Sequence, residues 1–355
     1  MSSFASPRYL FELFDSTGTP LADVTPFFEK PSISLELNES ETITGSMNME
    51  KFDDFCKRQL GGIDGLTLLQ EYQTDIKVKR NESDFVGTHV DSVGVDAGAS
   101  SETISVIAKG YLEFFSKREI TKTYSGYDSA MIARDLIAQT QTRPRGNVGV
   151  TLRPSPYLSG VGRDMTYQRS NIKKEIIDLA ESKFGPFEFA FFPDKSFQTY
   201  QRLGANNGLS LVYGENMTGV QVDRLGSRIY NYITGVGSGF GSDQITSVQE
   251  DATDQLRHYL REKTVQFNSV VKQTTLDQNT LSELANCAPL AIPIIKTNTV
   301  KLRGVLPGLG DVVSVDLNAK RYLASLSGTY RIIRIEIDLD EQHMETISLY
   351  LGVAP

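Results

Sequence analysis

The first third of the chain alternates apolar and polar residues with the period of a β-strand. Residues 32–37 have apolar side chains at every second position, which predicts a strand with one face toward water. A turn at residues 38–41 and apolar residues on one side of 43–49 then predict the second strand of a hairpin. Further strands are predicted at Tyr9–Phe14, Asp75–Lys79, Phe85–Val90 and Thr103–Leu112. This set indicates a small antiparallel barrel or sandwich.

Helical spacing replaces the alternation after residue 122. Ser125 and Asp128 have the spacing of a capping box, and apolar residues three and four positions apart follow them. A later stripe of the same kind starts after Ser170 and stops at Gly185-Pro186, as a glycine followed by proline ends a helix. The predicted elements are a helix from Asp128 to about Thr140, a helix from Ser170 to Gly185, and a phenylalanine-rich hairpin at 187–192 and 197–203. Residues 120–203 are therefore predicted to form an inserted α+β module.

Strand patterns return after this module. They are predicted at Leu209–Tyr213, Thr218–Arg224 and Ser227–Thr234. These strands are too few to form a stable sheet alone, so the simplest prediction is that they rejoin the first barrel. The glycine-rich run from Gly235 to Gly241 is predicted to be a flexible joint.

Two further helices are predicted beyond the joint. Ser247 and Glu250 offer a capping box for the first, and Asp277 begins the second, which stops at Pro289. The residues predicted to be buried are Leu256, Tyr259 and Leu260 in the first helix, and Leu281, Leu284 and Ala285 in the second. Residues 236–289 are thus predicted to be a helical connecting module.

The last 65 residues alternate most strongly, and they predict a second small barrel. The apolar positions are Val312, Val313 and Val315, then Ile333, Ile335 and Ile337, and finally Ile347, Leu349 and Leu351. The predicted fold class is α+β, with two small antiparallel β-barrel, tube-like domains and inserted α+β and helical modules. The predicted domains are a first barrel at 1–119 plus 204–235, the α+β module at 120–203, the helical module at 236–289 and a second barrel at 290–355.

Composition narrows the class of protein. The chain has 355 residues, with 36 basic and 44 acidic side chains and a net charge of −8, which argues against tight binding to a phosphate backbone. Apolar runs such as 289–295 stop far short of the roughly 20 residues that span lipid, so a soluble protein without a membrane-spanning segment is expected. Cys56 and Cys287 lack metal or redox spacing, and residues 1–10 lack a secretory signal; both indicate synthesis in the cytosol.

The sequence offers little catalytic chemistry. The run from Gly235 to Gly241 fits neither the dinucleotide fingerprint nor the Gly-Lys-Ser/Thr loop, and no G-x-S-x-G elbow occurs. The side chains weighed and assigned to packing, turns or solvated surface are His89, His258 and His343; Glu36, Glu39 and Glu41; Asp338, Asp340 and Glu341; and the loop arginines Arg143, Arg145, Arg153 and Arg163. For the arginine loop, contact with an acidic neighbour or a phosphate stays open. No catalytic, cofactor-binding or metal-binding residue is predicted, and no cofactor.

Several segments, taken in their order along the chain, resemble the baseplate or tail hub proteins of long-tailed phages, including the hub-like N-terminal part of siphophage tail-associated proteins, and the related hubs of contractile injection systems. These segments are Ile104 to Ile120; Tyr213-Gly-Glu-Asn, Val222-Asp-Arg and Asn231-Tyr-Ile; and Gly310-Asp-Val-Val-Ser-Val, Gly328 to Ile335 and Glu345 to Leu351. They look like the strand leaving the first barrel, the return segment and the closing barrel of such hubs. The resemblance covers nearly the whole chain.

The resemblance implies a homotrimer at the virion tail tip, assembled in the host cytoplasm. Two tube-like barrels per chain would give six around a channel, which adapts a sixfold tail tube to a threefold tip. The implied partners are the distal tail or tail tube protein, the tape-measure protein and a tip fibre or spike protein, with DNA only as passing cargo. Because the chain ends at Pro355 without a wall-degrading region, a hub without lytic activity is expected. The alternatives are a tail-associated cell-wall-degrading enzyme and a host-binding module.

Overall fold

Apolar and polar residues alternate along the strands at the start of the chain, so that every second side chain is buried. The computed structural model describes residues 6–98, 102–182, 185–222, 226–268, 270–287 and 292–354. Its first elements are β1 (Tyr9–Asp15), β2 (Pro20–Asp23), β3 (Phe28–Glu36), β4 (Thr42–Asn48), α1 (Met49–Gln59), α2 (Gly65–Leu68), β5 (Thr74–Arg80), β6 (Ser83–Ala97) and β7 (Glu102–Gly110). The strands predicted here are confirmed. Met49, predicted to lie in a strand, instead begins α1, because the Asn48 side chain accepts a hydrogen bond from the Lys51 amide and caps a helix.

The inserted module contains both predicted helices and the predicted hairpin. Its elements are β8 (Glu119–Asp128), α3 (Ser129–Gln141), β9 (Thr151–Leu152), β10 (Gly162–Asn171), α4 (Ile172–Ala180), β11 (Glu188–Phe191) and β12 (Ser196–Tyr200). Asp128 caps α3 by accepting from the Ala130 amide, whereas Ser125 lies inside β8. Asn171, one residue after the predicted cap, caps α4. The module has its own apolar core, which includes Phe115, Leu136, Ile176 and Phe197.

The rest of the chain adds two more helices and nine strands within its described part. They are β13 (Asn206–Val212), β14 (Gly219–Val222), β15 (Tyr232–Val236), β16 (Thr246–Glu250), α5 (Ala252–His258), β17 (Glu262–Gln266), α6 (Gln273–Asn286), β18 (Pro293–Thr297), β19 (Val312–Asp316), β20 (Gly328–Leu339) and β21 (Glu345–Val353). The fold is therefore α+β, as predicted. None of the described helices combines the length and apolar character needed to cross a bilayer.

One 13-stranded sheet contains strands from both ends of the chain. Its main path runs β14-β18-β21-β20-β3-β4-β7-β6-β5-β1-β2, with β19 beside β20 and β13 beside β19. Arg334 of β20 lies opposite Glu36 of β3, and Asp338 lies opposite Ser32, so this pair of strands joins the two β regions. Their apolar residues share one core, with Phe11 and Ile33 from the first region and Ile335 and Leu349 from the second.

The return strands pair differently from the prediction. β13 lies parallel to β19, and β14 lies antiparallel to β18, so both join strands from the end of the chain and neither pairs with β1–β7. The third predicted return strand, Ser227–Thr234, overlaps β15, which lies in a separate three-stranded sheet with β16 and β17. The alternation that reveals a strand fixes which face is buried and says nothing about which distant strand lies beside it. The division into barrels at 1–119 plus 204–235 and at 290–355 stays a prediction.

A bulge changes the predicted burial in β20. The pairing with β21 shifts between Ile332 and Arg334, so Ile332 is buried while Ile333 is 40% exposed. Beyond the shift, Ile335 and Ile337 are buried as predicted. An extra residue in one strand turns each side chain before it to the opposite face, which simple alternation does not reveal.

The predicted helical module is a small mixed unit. β15 lies between antiparallel β16 and parallel β17, and α6 packs on β15 and β16 through Leu276 and Thr280. Gly235 lets α6 approach, because an added Cβ would overlap the Thr280 hydroxyl. The glycine run is thus the end of a strand and a hairpin loop, where a flexible joint was predicted, and residues predicted to start a helix form β16. We call residues 229–287 the small unit.

Two buried stripes predicted in the small unit are wrong. Leu256, Tyr259 and Leu260 are 90%, 86% and 57% exposed, because α5 ends after two turns and does not lie on the sheet. In α6, Leu281 and Ala285 are exposed, since the helix turns Leu276 and Thr280 toward the sheet instead. Pro289, the predicted stop of this helix, lies outside the described residues.

Candidate functional site

Three nearly buried ionic contacts join the parts of the chain. In the first, Arg331 of β20 donates from Nη1 and Nη2 to the two carboxylate oxygens of Glu188 in β11, at 2.6 and 2.7 Å. Nε also donates to the Gly310 carbonyl at 3.0 Å, and Nη2 donates to the Leu203 carbonyl at 2.8 Å. A two-point pair of this kind fixes orientation as well as distance. It fastens the inserted module to the C-terminal strands, and we call it the Arg331 junction.

The second contact joins the inserted hairpin to the first β region. The ammonium of Lys195 lies 2.8 Å from the carboxylate of Asp75, and both side chains are almost fully buried. His89, the cross-strand neighbour of Asp75, stacks on Phe114 with ring centres 4.1 Å apart. Burial lowers the pKa of His89 to about 4, so this histidine is neutral at neutral pH and contributes packing.

The third contact joins the first and last β regions. Tyr9 donates its hydroxyl to Glu345 at 2.7 Å, and Arg80 donates Nε to the Tyr9 oxygen at 2.9 Å. Arg80 also lies 3.3 Å from Glu345, which accepts the Thr299 amide at 2.8 Å. Burial and the neighbouring Glu345 carboxylate raise the pKa of Tyr9, so its hydroxyl stays a donor. Together, these three contacts connect the inserted module, the first β region and the last β region.

A polar groove crosses the strands that join the two β regions. It lies on β20, β3, β4 and β7, and its walls are Ser32, Ser34, Glu36, Ser40, Thr42, Thr44, Lys109, Arg334 and Glu336. Arg334 donates to the Ser34 hydroxyl at 3.1 Å, and Lys109 donates to the Thr42 hydroxyl at 3.0 Å. The positive charges of Lys109 and Arg334 equal the negative charges of Glu36 and Glu336, so the groove has no strong electric field of either sign. Its serine and threonine hydroxyls offer many hydrogen bonds.

Next to this groove, the Glu41 carboxyl packs against the backbone of Gly110. An added Cβ at Gly110 would overlap its Oε2, which is buried and has no hydrogen-bond partner. Burial raises the pKa of Glu41 to about 7 from an ordinary value of 4.5. In the folded chain the Glu41 carboxyl therefore stays protonated at pH values where the same carboxyl is ionised in the unfolded chain.

This difference predicts a stability that falls as pH rises. Between about pH 4.5 and 7 the folded state binds more protons at Glu41, so its contribution to the free energy of unfolding decreases across that window. Glu41→Gln is expected to raise the free energy of unfolding by about 2 kcal/mol at pH 8 and to change little at pH 4. Urea unfolding at both pH values measures this, with the exposed Glu71→Gln as control. Equal effects of Glu41→Gln at the two pH values would contradict it.

The histidines and cysteines considered as candidates for a site do not lie together in the structure. His89, His258 and His343 lie on different elements, and His258 pairs with Asp254 at 2.7 Å. Cys56 and Cys287 are both buried free thiols. Within the described ranges, no group of three or more His, Cys, Asp or Glu side chains is placed to hold a metal ion.

The four arginines of the predicted loop lie in two kinds of environment in the structure. Arg153 pairs with Asp194 at 3.3 Å and lies over the ring of Phe192, and Arg163 donates to Ser182, so both hold the inserted module together. Arg143 and Arg145 are exposed. The sequence pattern of four basic residues thus does not form one basic patch.

The small unit exposes several large apolar side chains, three of which were predicted from the sequence to be buried. Phe240, in the loop between β15 and β16, is 95% exposed, and Leu256 and Tyr259 are nearly as open. Leu260 adds to the same exposed segment as Tyr259. The sequence carried no signal for this exposure, because the structure, and not the residue pattern, shows that α5 has only seven residues.

Comparison with solved structures relates the fold to known proteins. The tail protein from Neisseria meningitidis MC58 aligns with a TM-score of 0.64 at 14% identity, covering 97% of this chain and 96% of that chain. The 43 kDa tail protein of prophage MuSo2 from Shewanella oneidensis aligns at 0.65 and 12% identity, covering 98% of both. Prophage tail protein gp18 from Listeria monocytogenes EGD-e aligns at 0.51 and 14% identity, covering 98% and 95%.

The chain therefore has the fold of phage tail proteins, along nearly its whole length. The resemblance predicted from the sequence is confirmed at this level. The sequence itself matches no protein-family model, and no curated protein matches it.

Proposed function

We propose that the protein is a structural hub at the tip or baseplate of a phage tail. The observation that carries the proposal is the common fold with tail proteins over 97% and 98% of the chain. The Arg331 junction and the other two buried ionic contacts support it, because they connect the inserted module and the two β regions that would hold the partner proteins. Its role is to hold other proteins in place, and no reaction is assigned to it.

In the proposed assembly, three copies form a ring around a channel. Each chain contributes two β regions, so three chains present six and match a sixfold tail tube on one side and a threefold tip on the other. The proposed neighbours are the distal tail or tail tube protein, the tape-measure protein and a fibre or spike protein. Assembly takes place in the host cytoplasm, and the site of action is the virion tail tip.

The polar groove is the surface we propose for the channel wall. Its hydroxyl groups and balanced charges give passing DNA no cluster of cations to bind, and the net charge of −8 per chain repels the strand at longer range. DNA is cargo in this proposal, so a filter-binding measurement at physiological salt is expected to detect no tight complex.

Electron microscopy of the purified chain tests the proposal directly. Negative-stain images at high protein concentration, alone and after addition of a tail tube protein, are expected to show threefold rings with a central hole. A particle that stays a single chain under both conditions would end the proposal. Hydrolysis of purified cell wall by the chain would instead support the enzyme alternative.

A further inference from the structure

We infer that Lys195 and Asp75 react with each other and form an amide bond between their side chains. This bond is a covalent cross-link between the inserted module and the first β region, and the ion pair described above is its precursor. The reaction needs only these two side chains and releases one water molecule. The cross-link lies within one chain, so the inference does not depend on the ring proposed for the hub.

The reacting groups are already in contact. Nζ of Lys195 lies 2.8 Å from Oδ2 of Asp75, which is one covalent bond away from the carbon to be attacked. Within the described part of the chain, this oxygen has no partner in the direction that a hydrogen bond requires, so the two groups are close without being aligned as a hydrogen-bonded pair. Such proximity replaces an encounter between separate molecules and makes a slow reaction accessible.

The hairpin turn between β11 and β12 holds the lysine in this position. Lys195 has a φ of 61°, its amide donates to the Phe192 carbonyl at 2.9 Å, and its carbonyl accepts from the Thr151 amide at 3.1 Å. The turn lies directly on β6, because an added Cβ at Gly87 would be only 2.6 Å from Cα of Pro193. The backbone of the turn is thus fixed against the strands of the first β region.

The strands hold the aspartate equally firmly. Asp75 lies in β5, opposite Phe14 of β1 on one side and His89 of β6 on the other. A residue in the middle of three paired strands cannot move its backbone without breaking the sheet. The two side chains are therefore kept in contact for the lifetime of the folded chain.

Burial favours the uncharged product over the charged reactants. The side chains of Lys195 and Asp75 are 11% and 2% exposed, and the rings of Tyr111 and Phe114 have their centres 5.4 and 5.8 Å from Nζ. Burial raises the pKa of Asp75, which favours transfer of a proton from the ammonium to the carboxylate. An amide has no charge, so its formation removes the cost of burying two ions.

His89 can carry protons for this reaction. It is fully buried as the cross-strand neighbour of Asp75, and neither of its ring nitrogens has a hydrogen-bond partner among the described residues. A neutral imidazole accepts a proton at one nitrogen and donates one from the other. The ring can therefore take a proton from the attacking nitrogen and give one to the leaving hydroxyl.

The reaction is balanced without a cofactor or an oxidant. The Lys195 ammonium first gives one proton to the Asp75 carboxylate, which leaves a neutral amine and a neutral carboxyl group. The lone pair of Nζ then forms a bond to Cγ of Asp75. The bond from Cγ to the hydroxyl breaks, and the hydroxyl leaves as water with a proton that comes from Nζ through His89. One amide and one water are formed, and no atom is oxidised or reduced.

Mass spectrometry of the purified full chain tests the inference. The chain is expected to be lighter than its sequence by one water molecule, and digestion with trypsin is expected to give one branched peptide that contains both Asp75 and Lys195. The control lies in the same molecule, where Nζ of Lys173 is also 2.8 Å from Oε2 of Glu113 but both side chains are 20% exposed. These two residues are expected in separate, unmodified peptides.

Two variants test the parts of the reaction. Lys195→Met removes the attacking amine and is expected to have the full mass of its own sequence. His89→Phe keeps a ring that can stack on Phe114 and removes the proton carrier. In chains made in a cell-free extract and sampled over time, it is expected to form the branched peptide about 100-fold more slowly than the original chain. Circular dichroism confirms that each variant is folded.

The outcomes are distinct from those of the proposed hub. An original chain with the full mass of its sequence and separate peptides for Asp75 and Lys195 would overturn the inference, and the hub would be unaffected. Loss of water at another pair of residues would overturn it as well. A cross-link that forms equally fast in folded His89→Phe would overturn the role of His89 as proton carrier.

Discussion

Arg331→Met is expected to lower the free energy of unfolding by about 3–5 kcal/mol. The substitution keeps the volume of the side chain but removes the guanidinium that neutralises Glu188, whose side chain is only 12% exposed. It also leaves the Gly310 and Leu203 carbonyls without the donors that Arg331 supplies. An unpaired carboxylate at this junction must either recruit water or take up a proton, and both weaken the attachment of the inserted module. Urea unfolding followed by circular dichroism measures the loss.

Arg334→Met is a matched control on the same strand. Arg334 is 35% exposed and pairs with Glu336 at 3.3 Å, so its removal is expected to change the free energy of unfolding by less than about 1 kcal/mol. The double variant Arg331→Met/Glu188→Met removes both charges of the junction and should recover most of the lost stability. If Arg331→Met and Arg334→Met had equal effects, the Arg331 junction would not hold the module in place.

Gly204→Ala is expected to destabilise the chain by about 3 kcal/mol or more. Gly204 has a φ of 77°, and an added Cβ would overlap the backbone of Gly310 and Asp311. Backbone atoms cannot rotate away as a side chain does, so the two segments must separate, and the Arg331 junction beside them must distort. Thermal unfolding measures the change as a lowered Tm.

Gly208→Ala separates the clash from the backbone strain. Gly208 has a similar φ of 73°, and nothing lies within 4 Å of an added Cβ there. Its substitution therefore costs only the left-handed conformation, about 1–2 kcal/mol. Equal losses of stability for Gly204→Ala and Gly208→Ala would show that close packing against Gly310 contributes nothing.

Local patterns in the sequence predict local structure well in this chain. Asp128 accepts hydrogen bonds at the start of α3, close to the predicted capping box, because a carboxylate in that position satisfies amides that the helix leaves free. The hairpin of β11 and β12 and the alternating residues of β21 are also as predicted. Each of these depends on residues that lie within one turn or one strand of each other.

Contacts between distant residues could not be predicted from the same patterns. Arg331 and Glu188 are 143 positions apart, and neither is marked by its neighbours as a buried pair. β13 and β14 have ordinary strand patterns that fit an edge of either β region equally well, and only the folded chain selects β19 and β18. Pairing of this kind depends on the shape of the whole sheet.

The apolar residues in and just after α5 show a different limit of prediction from the sequence. Leu256, Tyr259 and Leu260 have the spacing of a buried stripe, and the usual assumption that such a stripe faces the interior of its own chain is wrong here. The pattern shows only that these side chains are apolar, and it does not show whether the helix that carries them lies on the core. An exposed apolar stripe is therefore indistinguishable from a core stripe until the structure is known.

The pairing of β3 with β20 has a consequence for synthesis on the ribosome. Ser34 and its hydrogen-bond partner Arg334 are 300 positions apart, so β3 emerges long before the strand that completes its outer edge. At a translation rate of about 5–20 residues per second, that edge waits on the order of 15–60 s for its neighbour. During this interval, β3 can pair with β4 on one side, while its other edge is open to other nascent chains and to chaperones. The pairing of β20 with β3 therefore comes late in synthesis, and it joins the last strands of the chain to the first ones.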